Sequence, residues 1–517
     1  MKGDQSSSAS SPIPEGGART AAPPRAPRGP QISCKGWQQE AALRLLMNTC
    51  DPEVSVPFAG REKVHSLFVA LQSLGSDQTL IVRAGNPPGI VQSDPSSPRV
   101  LILNDMGPQE KRFSGPERWG RFLFGAAADE SWTSAGAQSA VWATFATFAR
   151  AAQTHFASSL AGKLVVAGGM GATGGAQPLA ATMNGAAFLG IEADEKRILG
   201  QTRSGYCDIC VNNLDEALRI LKNAVRQKQP VSVGLVGNCV EVIPELARRG
   251  VVPDLLTDQT GALDLGYIPT GLNPQQAAEL RESRPQEYLK RARESIELHV
   301  GGMLELQKLG AATFDFGNGI FDAAGEQAAV PHFATAYLQP LLSAAVAPVR
   351  WFALSGERDD IFKMDEELVQ GAPQNEILAR WLRMARKHLR FQGLPARVAW
   401  LGPDERLRFG ERVNAMVARG ELRAPVVISR DFASSTMAPL PGPEGRFGVV
   451  GGPSPRAVLE ALREAASGAS WAAFQCGPDN EAPQAHLTTK AAVAEGTPEA
   501  AQRLKRVLAC DSGIGAA

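Results

Sequence analysis

The chain has 517 residues, 44% of them hydrophobic, and its 53 basic side chains balance 53 acidic ones. A chain of this length buries a large core and is expected to form two or three domains. Because nucleic-acid binders carry a basic excess on one face, the zero net charge argues against a nucleic-acid partner. No uninterrupted apolar run reaches the length of a membrane span, so we expect no membrane partner either.

The N-terminal stretch, residues 1–32, is rich in Ser, Pro, Gly and Ala and lacks the apolar core of a secretory signal. Such a composition cannot bury enough surface to fold, so we expect a disordered tail. An organellar transit peptide is the alternative, although Asp4 and Glu15 interrupt an otherwise acid-poor stretch. The seven cysteines are scattered, which suits a reducing, cytoplasmic location. A lone CxxC at Cys207 and Cys210 lacks the second pair that a zinc site needs, and we predict no metal site.

The predicted elements begin after the tail. Residues 36–51 have helical apolar spacing, which predicts an amphipathic helix. Short apolar segments then alternate with helical stretches, and residues 270–310 predict a charged helix with a solvated face. The apolar segments are TLIVRAG, RVLILND, KLVVAGG, AFLGIEAD, VSVGLVGN, VRWFALSG, ARVAWLG and APVVISRD. This alternation predicts a parallel α/β architecture.

A glycine-rich sequence follows one of these strands. Gly169, Gly171 and Gly174 fit the pattern G-x-G-x-x-G between the strand KLVVA and the helix QPLAATMNGAA. The next strand ends in Glu192, about where a dinucleotide-binding fold places the acid that accepts a ribose hydroxyl. The glycines would make the turn and let the backbone approach a pyrophosphate. A nucleotide site is the favoured interpretation, and a tight turn without a ligand is the alternative.

Segments along most of the chain, taken in order, resemble the urocanase (urocanate hydratase) family. They include GWQQEAALRLLMNTCDPEV, QTLIVRAGNPPGIV, GGMGATGGAQPLAATM, VSVGLVGNCVEVIPELARRG, VVPDLLTDQT and VRWFALSGERDDIF. This combination is far more specific than any single glycine loop.

The resemblance implies a homodimer in which a Rossmann-like, NAD-binding domain with a parallel sheet is inserted into a core α/β domain made of both chain ends. We therefore predict a core domain at residues 33–133 and 345–517 and the NAD-binding domain at residues 134–344. In this family a tightly held NAD+ acts as an electrophile. The substrate imidazole adds to the nicotinamide ring, water adds across the acrylate system, and imidazolone propionate is formed.

The resemblance also assigns residues to the NAD+ site. Positions that contact or frame the nucleotide are held here by Gly169, Gly171, Gly174, Glu192, Arg197, Asn238, Gln259, Thr260 and Tyr267. Each also has a purely structural interpretation: Gly174 would serve helix–strand packing, and Tyr267 would be a core aromatic residue with a satisfied hydroxyl. As a set they favour a bound dinucleotide.

The substrate side departs from the family pattern. A Tyr-Gly-Gly segment after DPEV is missing, and the histidine–glycine-rich loop near the C-terminus is replaced. A family glutamine is Ala126, the histidine of DQTSAHDP is Leu263, the tyrosine of FDYGNN is Phe316, the cysteine of RICW is Ala399, and the histidine of RDH is Phe432. None of the six histidines lies at these motif positions, and we expect all six to be surface or core residues. The changes remove donors and proton-transfer groups, which argues against ordinary urocanate hydration.

Three residues remain candidates for chemistry. Arg350, at the head of a strand edge, would pair with a substrate carboxylate, or else form a structural ion pair. Asp431 ends another strand and is the best surviving acid for proton transfer, with a turn or helix cap as the alternative. Glu130 stands where the family has glycine and would be a replacement acid or a solvated loop residue.

Two functional hypotheses follow: an enzyme that acts on a small-molecule substrate, and a non-catalytic homologue. The first is a urocanase-like hydro-lyase with bound NAD+ that acts on urocanate or an altered, heteroaromatic or acrylate-type acid. The second is a non-catalytic homologue that binds a dinucleotide or forms dimers and regulates or scaffolds, which better explains losses from polar to apolar residues. An unaltered urocanase ranks last, because it requires the replaced side chains to be dispensable.

Overall fold

The structure is a computed structural model that describes residues 25–51, 53–54, 61–83, 89–105, 132–133, 135–171, 174–262, 266–326, 329–430, 455–476 and 487–511. Within these residues, fourteen strands form two sheets that helices cover. The fold is therefore mixed α/β, as predicted. None of the described helices has both the length and the hydropathy that a membrane span needs.

Helices connect many of the strands along the chain. They lie at Trp37–Thr49 (α1), Arg61–Ser73 (α2), Gln138–His155 (α3), Gln177–Met183 (α4), Glu195–Ser204 (α5), Leu214–Gln227 (α6), Cys239–Arg248 (α7), Pro274–Ser283 (α8), Pro285–Lys308 (α9), Ile320–Ala323 (α10), Gln339–Ser343 (α11), Arg358–Gly371 (α12), Glu376–His388 (α13), Pro403–Ala418 (α14), Pro455–Ala466 (α15) and Pro498–Ala509 (α16).

The strands fall into three groups along the chain. The first group is Gln78–Arg83 (β1), Gly89–Gln92 (β2) and Val100–Asp105 (β3). The middle group is Leu164–Gly168 (β4), Ala187–Glu192 (β5), Ile209–Val211 (β6), Val231–Val236 (β7), Leu255–Asp258 (β8) and Ala312–Thr313 (β9). The last group is Ala347–Ala353 (β10), Ala396–Leu401 (β11), Val426–Arg430 (β12), Trp471–Cys476 (β13) and Leu487–Ala494 (β14).

The middle group forms a six-stranded sheet in the order β6-β7-β5-β4-β8-β9, and every neighbouring pair is parallel. The parallel arrangement predicted for these strands is confirmed. Every residue of β5 is buried, as expected for a sheet that helices cover on both faces. The chain runs from β4 to β5, β6 and β7 on one side of the sheet, and then to β8 and β9 on the other side of β4. The strand order therefore reverses between β4 and β8. Ligands of open α/β sheets bind outside the strand ends at such a switch point.

The first and last groups together form an eight-stranded sheet in the order β11-β10-β12-β14-β13-β3-β1-β2. The predicted parallel architecture is wrong for β10 to β14, because each neighbouring pair among these strands is antiparallel. Strands buried on both faces read as continuous apolar runs whatever their direction, so the sequence carries no signal for it. Strands from both chain ends meet where β3 pairs with β13.

Helix α1 forms where the spacing predicts a helix, but it is not amphipathic. Glu40 and Arg44 are buried with 1% and 0% of their side chains exposed, and their charged atoms lie 2.8 Å apart. Arg44 also donates to the carbonyl oxygens of Gly29 and Leu354. A charged residue is fully buried only when it is paired, so these contacts explain why the helix lies inside the protein.

The charged stretch at residues 270–310 forms the two helices α8 and α9. An exposed ion pair between Arg284 and Glu287 begins α9, as expected of a solvated face. The opposite face of α9 buries a stripe that includes Tyr288, Ala292 and His299. This spacing is that of one face of a helix, and it brings a histidine into the core.

Candidate functional site

The glycine turn lies at the end of β4. Gly169 has a φ of +76°, and its N–H donates to the Ile191 carbonyl oxygen. A Cβ atom on Gly169 would lie 2.5 Å from the Gln259 backbone, and one on Gly174 would lie 2.0 Å from the Gly169 carbonyl oxygen. Both positions therefore require glycine for the fold of the turn itself.

Glu192 and Arg197 flank this turn. The buried Glu192 carboxylate accepts from the backbone N–H groups of Met170 and Asp194, each at 3.0 Å, and pairs with Arg197 at 3.3 Å. Arg197 is half exposed, and its guanidinium lies 3.6 Å from the position of a Cβ on Gly171. Among the described residues other than Gly171 and its chain neighbours, no other atom lies within 4 Å of that position. The space beside Gly171 is thus bordered by a cation.

The end of β8 packs against the glycine turn. Asp258 pairs in register with Gly168, and the Gln259 N–H donates to the Gly168 carbonyl oxygen at 2.7 Å. The Oδ1 atom of Asp258 accepts from the Thr260 N–H, the Thr260 hydroxyl and the Asn318 amide, at 2.9, 2.6 and 2.6 Å. The structure therefore brings Gln259 and Thr260 to the switch point beside Gly169, and their contact with a nucleotide stays a prediction.

Asn238 and Tyr267 use their polar atoms within the protein. Asn238 caps α7 by accepting from the Val240 N–H, and its amide donates to the Ile268 carbonyl oxygen at 3.0 Å. Tyr267 is 3% exposed, and its hydroxyl lies 3.2 Å from His299 Nδ1. These are the contacts of the structural interpretation, and a nucleotide contact from either residue stays a prediction.

The sequence did not single out Cys239 and His299, yet both lie directly behind the glycine turn. A Cβ atom on Gly168 would lie 2.0 Å from Asp258 Oδ2 and 3.0 Å from Cys239 Sγ. Burial raises the pKa of the Cys239 thiol well above its usual value. Burial also lowers the pKa of His299, an effect that the Asp258 carboxylate opposes. The signal that marks His299 in the sequence is its place on the buried stripe of α9.

Two of the positions at which this chain departs from the family pattern are buried among apolar residues. Phe316 is buried and stacks on Phe333 with 4.7 Å between the ring centroids. Its carbonyl oxygen accepts from Gln259 Nε2 at 3.0 Å, which joins Phe316 to the switch point. Ala399 is fully buried in β11, opposite Val349 of β10. These two replacements therefore occupy closed, apolar surroundings.

His332, which was expected to be a surface or core residue, is partly buried and lies beside the turn that carries Phe316. Its Nε2 lies 3.2 Å from the position of a Cβ on Gly317, and its Nδ1 accepts from the Ala334 N–H. Burial lowers the pKa of His332 and raises that of the neighbouring Asp315 to about 6. The pair thus places an imidazole and a carboxyl group, both with pKa values shifted by burial, next to Phe316.

Arg350 lies inside β10, between β11 and β12, and not at a strand edge as predicted. An apolar run does not reveal which strands flank it, which is why its place in the sheet was missed. Its guanidinium is buried and donates to the Ser139 hydroxyl at 3.0 Å. Other predicted positions lie outside the described residues: Ala126, Glu130, Leu263, Asp431 and Phe432.

Models of three domains of one family match consecutive parts of the chain. The urocanase N-terminal domain matches residues 24–132, the urocanase Rossmann-like domain matches residues 136–339, and the urocanase C-terminal domain matches residues 340–517. The chain belongs to the urocanase family. The Rossmann-like match contains the six-stranded parallel sheet, with the N- and C-terminal matches on either side in sequence. The family therefore supports a urocanase-like hydratase in general terms.

The family binds NAD through its Rossmann-like domain, and the residues of this chain fit such a nucleotide. Gly171 leaves room beside it among the described residues, and a partly exposed Arg197 borders that room. The buried Glu192 stands at the end of the second strand, where a ribose-binding acid is expected. The donor and acceptor types around the glycine turn are thus compatible with a dinucleotide.

Proposed function

We propose that this protein is an NAD+-containing hydro-lyase of altered specificity that acts on urocanate or a related heteroaromatic acrylate-type acid. One observation carries the proposal: the Gln259 side chain joins a retained glycine turn to Phe316, which replaces a family tyrosine. The nucleotide half keeps its polar groups, while the half that would face the substrate is apolar. Such a combination supports retained cofactor binding with a changed reaction partner.

Gly169, Gly171, Glu192 and Arg197 would hold the adenosine and pyrophosphate side of NAD+. When bound, NAD+ supplies an electrophilic ring for a substrate imidazole or a similar heteroaromatic group. Arg197 would place a guanidinium beside the phosphates, and Glu192 would accept from a ribose hydroxyl. Arg197 and Glu192 would thus supply both the cation for the phosphates and the acid for the ribose.

The substrate half would act mainly by excluding water. The stacked rings of Phe316 and Phe333 offer apolar surface and no donors. His332 is the proposed proton-transfer group, since burial lowers its pKa and so favours the neutral imidazole, and since it lies beside the Phe316 turn. Arg350 remains the proposed partner of a substrate carboxylate, and Asp431 the proposed acid. Cytoplasmic location and a homodimer complete the proposal.

The first experiment denatures the purified protein and assays the supernatant for NAD+. We expect about one NAD+ per chain, the stoichiometry of a single dinucleotide site. The NAD+-free form of Gly171→Ala should unfold at the same temperature as NAD+-free wild type, because the added Cβ meets only Arg197 at an ordinary contact distance. As purified, this variant should release much less NAD+, because the methyl group fills the space that a pyrophosphate would use. Full NAD+ release from Gly171→Ala would contradict the assigned cradle.

The second experiment tests the reaction. Urocanate and a set of furyl-, thienyl- and pyridyl-acrylates are mixed with the protein, and loss of the conjugated absorbance is followed. We expect turnover of at least one analogue to exceed that of urocanate, and His332→Gln to slow it. Rapid urocanate turnover would refute the altered specificity.

A non-catalytic homologue is the second candidate function. The burial of Phe316 and Ala399 in apolar surroundings favours it, because neither position offers a group for acid–base work. NAD+ release without turnover of any acrylate would support this candidate. Absence of NAD+ from the wild-type protein would refute the hydro-lyase and the dinucleotide-binding role together.

A further inference from the structure

Three side chains from three separate elements converge behind the glycine turn. Cys239 begins α7, Asp258 ends β8, and His299 lies on the buried face of α9. One donor atom from each lies within 4.8 Å of the other two. The three residues are 4%, 1% and 0% exposed, so water does not solvate these donors from the surface.

Two of the three donor atoms lack a hydrogen-bond partner among the described residues. These are Asp258 Oδ2 and His299 Nε2, which face each other at 3.5 Å. A buried polar atom without a partner costs about 1–3 kcal/mol, so native structures rarely leave one, and here two lie side by side. The separation exceeds the 2.7–3.2 Å typical of an N–H···O hydrogen bond. It is close to the roughly 3.3 Å between two ligands of a tetrahedral zinc ion with bonds of about 2.0 Å.

The remaining polar atoms of these side chains are fixed by neighbours. Asp258 Oδ1 accepts three hydrogen bonds, from Thr260 and Asn318, which leaves Oδ2 directed toward the imidazole. His299 Nδ1 contacts the Tyr267 hydroxyl, and a second tyrosine, Tyr288, donates to the Tyr267 carbonyl oxygen. Metal-binding histidines almost always engage their second ring nitrogen in this way, because the contact fixes ring orientation and tautomer.

We propose that Cys239, Asp258 and His299 bind a divalent cation of the zinc class. Thiolate, imidazole and carboxylate together are ligands that zinc accepts, whereas Ca²⁺ and Mg²⁺ prefer oxygen ligands alone. The three ligands leave a fourth position for water, as in other zinc sites with three protein ligands. The cation would join α7, β8 and α9 behind Gly168, and its binding does not depend on the reaction proposed above.

The test uses the full-length protein, purified without chelators, and measures its metal content by mass spectrometry. A second sample is stripped with a chelator and reloaded with Zn²⁺ or Co²⁺. We expect about one Zn²⁺ per chain, and a cobalt derivative with a thiolate-to-cobalt charge-transfer band and tetrahedral visible absorption. A wild-type protein that holds no zinc as purified and takes up neither metal after reloading would overturn the proposal.

Variants assign the ligands. Cys239→Ser should remove the charge-transfer band, and the matched control Cys207→Ser should keep it, because Cys207 is also a buried thiol but does not belong to the group of three donors. Tyr267→Phe should weaken zinc binding about 10–100-fold in competition with a chromophoric chelator, the usual cost of losing an outer-shell partner. A charge-transfer band that persists in Cys239→Ser would refute the site, as would unchanged zinc affinity in Tyr267→Phe. If Cys239→Ser does not fold, the wild-type and Tyr267→Phe measurements still decide.

Discussion

The two sheets of this protein use charge in different ways. In the eight-stranded region, ion pairs such as Glu40 with Arg44 and Asp365 with Arg397 are buried, and Arg44 also donates to the carbonyl oxygen of the distant Leu354. In the six-stranded parallel region, pairs such as Glu245 with Arg248 lie on the surface. Buried acidic groups there lie instead at strand ends around the glycine turn, at Glu192 and Asp258. Buried ion pairs thus stabilise the first region, whereas the buried acidic side chains of the second lie where a ligand would bind.

The largest expected effect comes from breaking a buried pair in the eight-stranded region. Glu40 accepts from Arg44, the Cys34 N–H and two donors of Ser33. Glu40→Gln would leave the Arg44 guanidinium buried without its counter-charge. We expect the free energy of unfolding at pH 7, measured by chemical denaturation, to fall by about 3–5 kcal/mol.

The same variant makes a prediction about pH. Burial by itself would raise the pKa of Glu40, but hydrogen bonds from Arg44 and Ser33 bring it below its ordinary value of 4.5. A carboxyl group with a lowered pKa stabilises the fold above its unfolded pKa and loses this contribution as the pH falls through the folded pKa. The difference between wild type and Glu40→Gln should therefore shrink below about pH 4. A difference that is constant from pH 7 to pH 3 would contradict the ionic role.

The second effect concerns the glycine turn of the parallel region. Gly169→Ala combines a φ of +76° with a Cβ placed 2.5 Å from the Gln259 backbone. Gly250→Ala is a matched control, since Gly250 has a φ of +65° but no described atom within 4 Å of its Cβ position. We expect the control to lose about 1 kcal/mol from left-handed strain and Gly169→Ala to lose roughly 1–3 kcal/mol more. Equal losses in thermal unfolding would show that the close approach does not constrain the turn.

The sequence predicts the parallel sheet and its glycine turn well, because both depend on local patterns. A strand, three spaced glycines, a helix and a second strand ending in Glu192 lie within one short stretch. The antiparallel half of the other sheet is not predictable in this way, since its strands are paired by contacts between distant segments. An apolar strand such as β10 looks the same in either direction.

The candidate site shows the same limit. Gly169 and Glu192 are found from spacing, whereas Cys239, Asp258 and His299 come together only because α7, β8 and α9 pack around β4. No local motif links them, so a search for short cysteine and histidine patterns predicts no metal site. The buried stripe of α9 is the sequence signal that would have directed attention to His299.

A smaller effect is expected at Asp315, beside Phe316. Burial raises its pKa to about 6, and Asp322 and Asp258 add to this shift while the Gly317 N–H opposes it. Because the folded pKa lies above the ordinary value of 3.8, ionisation destabilises the fold increasingly between about pH 4 and pH 6. Asp315→Asn keeps the acceptor for Gly317 and should be more stable than wild type at pH 7 by roughly 1–2 kcal/mol. Chemical denaturation at pH 3.5 should show no such gain, and a gain of equal size at both pH values would refute the ionisation argument.

The smallest effect is expected from an exposed pair of the parallel region. Hydrogen bonds from Arg248 and Arg249 lower the pKa of Glu245 to about 2, yet the carboxyl group is solvated. Water and salt screen such pairs, so Glu245→Gln should leave the chemical denaturation midpoint at pH 7 nearly unchanged. It makes the same chemical change as Glu40→Gln, which isolates burial as the variable between the two regions. If Glu245→Gln lowered the free energy of unfolding as much as Glu40→Gln does, burial would not explain the difference. The contrast between stabilising buried pairs in the eight-stranded region and weak surface pairs in the parallel region would then be wrong.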